Sequence, residues 1–144
     1  MQYGISFNIA GGTHHAFSDH GEGFCMLNDQ AIGANYVLRK KKANRVLIID
    51  LDVHQGNGTA EIFKNDSRVF TFSMHGAKNY PIKKEKSDLD IGLEDGCKDE
   101  DYLDLLVKNL NIVIKEFSPE FIFYQAGVDA VSYTHLTLPT IYSV

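Results

Sequence analysis

Asp50, Asp52 and His54 fall at alternate positions directly after the apolar run Arg45-Val46-Leu47-Ile48-Ile49, and the chemistry open to such a trio is metal binding. The run is β-branched and of strand length. Period-two geometry would put the three ionisable side chains on one side of an extended backbone. Leaving water there without a partner is costly, and a divalent cation removes that cost. A second apolar run, Phe121-Ile122-Phe123-Tyr124-Gln125, delivers Asp129 in the same way. In open parallel α/β sheets the carboxyl ends of strands are where ligands sit. Two carboxylates and an imidazole form a hard-to-borderline metal site, and such N/O donors leave the metal open, iron(II) included.

A third element adds proton chemistry. Gly11-Gly12-Thr13-His14-His15-Ala16-Phe17 sets two adjacent histidines in a loop behind a glycine pair. Asp50 can accept the N–H of one imidazole, fixing its tautomer and raising the basicity of its other nitrogen. Asn57 is the candidate partner of the second histidine, with weaker support because an amide carries no charge. A metal beside oriented histidines is equipment for activating water at neutral pH. The expectation is metal-assisted hydrolysis.

The segments AGGTHHAF, GFCMLND, IIDLDVHQGNGT and YQAGVD, in this order, resemble the zinc-dependent histone deacetylase family, and Gln55 with Asn57 is most similar to its class IV branch and bacterial relatives. The resemblance covers about Asn8 to Ala130. It implies an α/β fold of arginase/deacetylase type, a parallel sheet flanked by helices. It also implies that Asp52, His54 and Asp129 bind zinc and that His14 and His15 are the catalytic pair. Asp50 and Asn57 would support those histidines, and Gly23 and Phe24 would wall the tunnel taking an acyl-lysine side chain. Asp50, Asp52, His54, Ser73 and Met74 match a structural monovalent-cation site, with potassium as the implied ion. The implied substrate is an acyl-lysine protein or a small acylated amine, and the implied compartment the cytoplasm, or the nucleus in a eukaryote. An acetylpolyamine amidohydrolase would share every one of these residues and differ in the rim loops.

The family resemblance further implies a glycine-rich loop carrying a tyrosine that stabilises an oxyanion, downstream of Asp129. The residues after Ala130 carry no such loop and no Asp, Glu, Lys or Arg. VSYTHLTLPT resembles the translation of a transposase-type sequencing adapter. The expectation is therefore a partial catalytic domain over 1–130 and a non-native tail over 131–144, in which Tyr133 and Tyr142 do not replace the missing tyrosine. A chain so cut is expected to fold poorly and to be inactive or nearly so. The competing reading from another class is a non-catalytic module that holds a metal or an acyl-lysine.

These side chains need elements to hold them. Tyr3 to Asn8 reads as a short strand. Asn28 or Asp29 reads as the cap of a helix to about Lys41, with Ile32, Tyr36 and Val37 facing the core. Strands are expected over 45–50, 68–73 and 120–126, and a short helix over 59–64. Gly56 and Gly58 read as allowing tight turns, and the polar stretch 75–96 as irregular rim. Tyr102, Leu103, Leu106, Leu110, Val113, Ile114 and Phe117 fall at helical spacing in an Asp99–Phe117 helix with acids in its first turn. Alternating strands and helices imply a parallel sheet covered on its faces.

Composition narrows the classes. At 144 residues, 44% hydrophobic and 23% charged, the chain has the make-up of one globular domain. A net charge of −5 argues against a nucleic-acid surface, and the basic runs at 39–42 and 83–86 read as solvated surface. No apolar run is long enough to span a bilayer. Cys25 and Cys97 are far apart and form no CxxC pair, which points to a reducing compartment. Gly56-Asn57-Gly58-Thr59 lacks the lysine and glycine spacing of a phosphate-binding loop. His20, His75 and His135 stand outside every motif and read as ordinary polar residues.

Overall fold

The computed structural model describes residues 4–9 and 11–127. In chain order it contains α1 (Asp29–Arg39), β1 (Val46–Asp50), α2 (Asn57–Phe63), β2 (Val69–Gly76), β3 (Leu89–Leu93), α3 (Asp99–Phe117) and β4 (Phe121–Gln125). The four strands form one sheet in the order β3-β2-β1-β4, and every pairing is parallel. The parallel α/β architecture flanked by helices is the expected one.

β1 lies between two neighbours and is buried along its whole length. That is why Val46-Leu47-Ile48-Ile49 is continuously apolar rather than alternating. Its side chains serve two cores. Val46 and Ile48 pack with Ala31, Ala34, Val37 and Leu38 of α1 and with Phe63 of α2. Leu47 and Ile49 pack on the other face with Phe72, Met74, Leu93 and Val113, where Tyr102, Leu106, Leu110 and Phe117 of α3 close the layer. Each fully buried aliphatic side chain of this kind contributes about 1.5–3 kcal/mol.

Helix ends follow local chemistry. Asn28 caps α1, its side chain accepting the Ala31 N–H. α1 ends at Arg39, with Lys41 left-handed and the Lys42 N–H returning to the Val37 carbonyl. α3 has the expected bounds and stops at left-handed Ser118, whose N–H bonds the Ile114 carbonyl ahead of Pro119.

Four expectations change. Residues 4–8 form no strand, and Tyr3 lies outside the described residues. Ile32 and Tyr36 are 55% and 53% exposed, lining an open cleft with Phe17, Leu27 and Ile62, and only Val37 of that trio enters the core. On α3, Leu103 and Ile114 face outward because the buried stripe is narrower than the apolar spacing. The stretch 75–96 holds β3, whose side chains alternate in burial because it is an edge strand. Among the described residues no helix is long and apolar enough to cross a membrane.

Candidate active site

The strand pairing sets the floor of the site. Asp50 is in register with Ser73 on one side and Gln125 on the other, so three polar residues stand at one level, two of them ending β1 and β4 and Ser73 within β2. Beyond Asp50 the chain leaves the sheet. The Asp52 N–H donates to Asp50 Oδ1 at 3.1 Å, and the His54 N–H donates to Asp52 Oδ1 at 2.9 Å. Successive side chains thus capture the backbone two residues on, as Asp does in turns. The acids and His54 still gather, through coiled backbone instead of the extended alternation expected. Asp52 Oδ1 and His54 Nδ1 lie 3.0 Å apart.

The dyad loop is fastened from below. Asp29, in the first turn of α1, accepts the Gly12 and Thr13 N–H groups at 3.1 Å each and the Thr13 hydroxyl at 3.0 Å. Burial pushes its carboxyl up, but these hydrogen bonds together outweigh burial and hold it below the usual range. Buried Asn28 donates to Thr59 Oγ1 and to the Ala16 carbonyl, and the Thr59 N–H of α2 donates to the His14 carbonyl at 3.1 Å. An otherwise unpaired helix-start donor is satisfied by the loop. Gly58 matters here for space: a Cβ would run into the Ala16 carbonyl. Gly56 centres a tight inverse γ-turn at φ −72° and ψ 67°, in which the Asn57 N–H donates to the Gln55 carbonyl at 2.8 Å, as expected there, whereas Gly58 serves close approach.

Both histidines are buried. His14 Nδ1 donates to Asp50 Oδ2 at 2.5 Å, and His14 Nε2 stands 4.0 Å from Asp52 Oδ1. His15 Nδ1 lies 2.7 Å from Asn57 Oδ1. The two rings are tilted, with centroids 4.1 Å apart, and His54 lies 6.1 Å from His15. Burial holds the His15 imidazole below its ordinary range and neighbouring His14 adds to this, while the Asn57 hydrogen bond pulls the other way.

Glu22 to Cys25 forms a tight turn. The Glu22 and Cys25 backbones exchange hydrogen bonds of 3.1 and 2.8 Å, and both central residues, Gly23 and Phe24, have positive φ. A Cβ on Gly23 would lie 2.6 Å from His15 Cδ2, so the turn presses bare backbone against that ring. Phe24, at φ 64°, projects fully into solvent. Ser73 Oγ pairs with His75 Nδ1 at 2.9 Å, and Met74 is wholly buried in the core. His75 is buried too, contrary to the expectation of an ordinary polar residue, and burial lowers its pKa.

Two residues that no motif singled out, Tyr80 and Glu22, belong to this neighbourhood, together with Gln55 of the third motif. Tyr80 stands edge-on to His15 with centroids 4.9 Å apart, and its hydroxyl donates to Glu22 Oε1 at 2.6 Å. Burial and Glu22 push the phenol up to about 12. Fully buried Gln55 donates to Asp90 Oδ1 and the Glu85 carbonyl and accepts the Glu85 N–H, pinning the segment that carries Tyr80. The position of Gln55 inside VHQGNG was the available signal. Nothing in the spacing of Glu22 or Tyr80 pointed to them, because their partners lie 35 and 58 residues away.

Asp129 and the tail 131–144 lie outside the described residues. Among the described residues no group of three or more His, Cys, Asp and Glu could hold a metal. What they supply is a pair of possible donors: Asp52 Oδ1 and His54 Nδ1, 3.0 Å apart, approach the roughly 3.3 Å edge of a tetrahedron with bonds of about 2.0 Å. The pair fits a zinc-type ion that takes its remaining ligands elsewhere.

A parallel sheet thus carries a histidine pair above its strand ends, one ring on a carboxylate and the other on an amide, and comparison with known proteins identifies the class. The histone deacetylase domain model matches residues 1–138, and the chain belongs to this family. An uncharacterized protein of Picosynechococcus is 50% identical over 129 residues, covering 90% of this chain and 43% of its own length. Histone deacetylase 8 of Xenopus tropicalis is 35% identical, covering 89% of this chain and 37% of its own. The crystal structure of a histone deacetylase homolog from Aquifex aeolicus superposes with a TM-score of 0.73 at 36% identity, over 83% of this chain and 35% of that one. The chain thus spans less than half the length of these relatives.

Proposed function

We propose that this chain carries the histidine pair and part of the metal site of a zinc-dependent amidohydrolase that removes an acyl group from a lysine-type amine. The observation that carries this reading is the pairing of His14 with Asp50 and of His15 with Asn57, with His14 Nε2 directed to within 4.0 Å of Asp52. Asp52, His54 and Asp129 would hold the ion, with iron(II) the alternative for the same donors. Bound there, the metal would supply Lewis acidity toward the amide carbonyl and the attacking water.

The protein's own groups do the rest. Asp50 holds the proton of His14 on Nδ1 and so places the ring's lone pair on Nε2, and Asn57 is the corresponding partner of His15. Burial lowers the pKa of His15 and so favours its neutral form. Gly23 keeps side-chain bulk away from His15, and exposed Phe24 is placed to contact an acyl-lysine stem. Asp50, Asp52, His54, Ser73 and Met74 remain the proposed potassium site.

The test uses the full-length protein, an acetyl-lysine peptide and added zinc. Activity is expected to fall by about 100-fold or more in His15→Ala with zinc still bound. Asp52→Ala is expected to lose the metal itself, measured by elemental analysis after dialysis. Zinc binding that is indifferent to Asp52→Ala would sink the metal assignment.

A further inference from the structure

Asn57 leaves the hydrogen-bond chain behind His15 undetermined. A carboxylate in its place could only accept, and His15 Nδ1 would have to donate. A carboxamide offers oxygen at one end and NH2 at the other, and half a turn exchanges them. The deciding group must lie beyond Asn57. Glu22 is that group: its Oε1 stands 2.7 Å from Asn57 Nδ2. A carboxylate accepts only, so the amide turns its NH2 toward Glu22 and its oxygen toward His15 Nδ1, which must then carry the proton.

Further contacts hold Glu22 to this task. The Tyr80 hydroxyl donates to the same Oε1 at 2.6 Å, and the Tyr80 ring stands edge-on to His15. The other oxygen, Oε2, lies 3.7 Å from His20 Nε2, an exposed ring already paired with Asp19 at 2.7 Å. The backbone of Glu22 is fixed by its two hydrogen bonds to Cys25 across the turn that presses Gly23 against His15. One carboxylate oxygen therefore orients both the amide partner of His15 and the aromatic ring against it.

We propose that Glu22 is a positioning residue which, acting through Asn57, keeps the His15 proton on Nδ1 and leaves Nε2 as the lone-pair nitrogen. The consequence for catalysis rests on the hydrolase reading above, whereas the proton's location does not.

The experiment is nitrogen NMR of histidine-labelled full-length protein at about pH 8, above the ordinary imidazole pKa of about 6.5. In the natural protein His15 should show a protonated Nδ1 and an unprotonated Nε2. Glu22→Ala should give a mixture of tautomers. Glu22→Lys puts a donor opposite Asn57, turns the amide round and should move the proton to Nε2. Adding Asn57→Asp to Glu22→Ala should restore the Nδ1 proton, because a carboxylate at 57 needs no director. A merely structural Glu22 would not produce this inversion and rescue. A His15 that keeps its Nδ1 proton in whichever of the Ala and Lys variants folds overturns the proposal.

Turnover in the same samples should fall by about 10- to 100-fold in Glu22→Lys and recover with Asn57→Asp in the alanine background. If the natural protein turns over no acyl-lysine substrate while the proton still moves as described, the hydrolase reading fails and the role of Glu22 stands.

Discussion

His14 and His15 are neighbours in the chain and are supported in opposite ways. His14 leans on a carboxylate that ends the central strand, is almost fully buried, and touches the ring directly at 2.5 Å. His15 leans on an amide, and the charge stands one residue further out, on a turn whose Phe24 lies in solvent. Support drawn from the sheet is as stable as the core beneath it. Support drawn from a turn can be altered without disturbing that core, because the turn's own apolar burial is slight. The two sides of the dyad should therefore fail differently when perturbed.

The largest difference should come from the His14 side. Asp50→Ala removes one partner of a buried pair and also releases the Asp52 N–H, so full-length protein should lose about 3–5 kcal/mol in urea unfolding. A loss under about 1 kcal/mol would mean that the core does not depend on this contact.

Asp29 fastens the Gly12-Thr13 lead into both histidines, and Asp29→Asn should cost about 1.5–3 kcal/mol. Its carboxyl is held below the usual range when folded, so its contribution is fully present above the unfolded value of about 3.9 and is lost as pH falls through the lower folded value. The gap between natural and variant protein should therefore close below about pH 4 in a series of urea titrations. A gap that stays constant with pH would assign the effect to packing.

The smallest change should come from the His15 side. Tyr80→Phe removes one hydrogen bond at the exposed rim and should cost at most about 1 kcal/mol. Differential scanning calorimetry resolves this, and a loss of several kcal/mol would show that the rim is as integral as the core.

The sequence made legible what is local. β1, α3 and β4 follow from uninterrupted apolar runs and helical spacing, and Asn28 was one of two adjacent residues that read as the cap of α1. The pairing of Asp50 and Asn57 with the two histidines was readable because it rests on few residue types with few alternative partners. β3 was missed because an edge strand buries only alternate residues among Asp and Gly, leaving little apolar signal. Ile32 and Tyr36 were misplaced because periodicity reveals an apolar stripe and not which part of it the neighbouring elements reach. Glu22 and Tyr80 were out of reach for another reason: an acid before a glycine and a tyrosine before a proline acquire meaning only when the fold brings them together.

The contact between Gln125 and His14 joins residues 111 apart in the chain, and that between Gln30 and Gln125 joins residues 95 apart. Bringing such distant segments together costs loop-closure entropy that local contacts cannot offset in advance. During folding, the ordering of His14 must therefore wait until β4 has added to β1. A signal from the His14 ring would thus act as a clock for completion of the sheet, rising with the slowest phase and lagging the formation of α1 and α3.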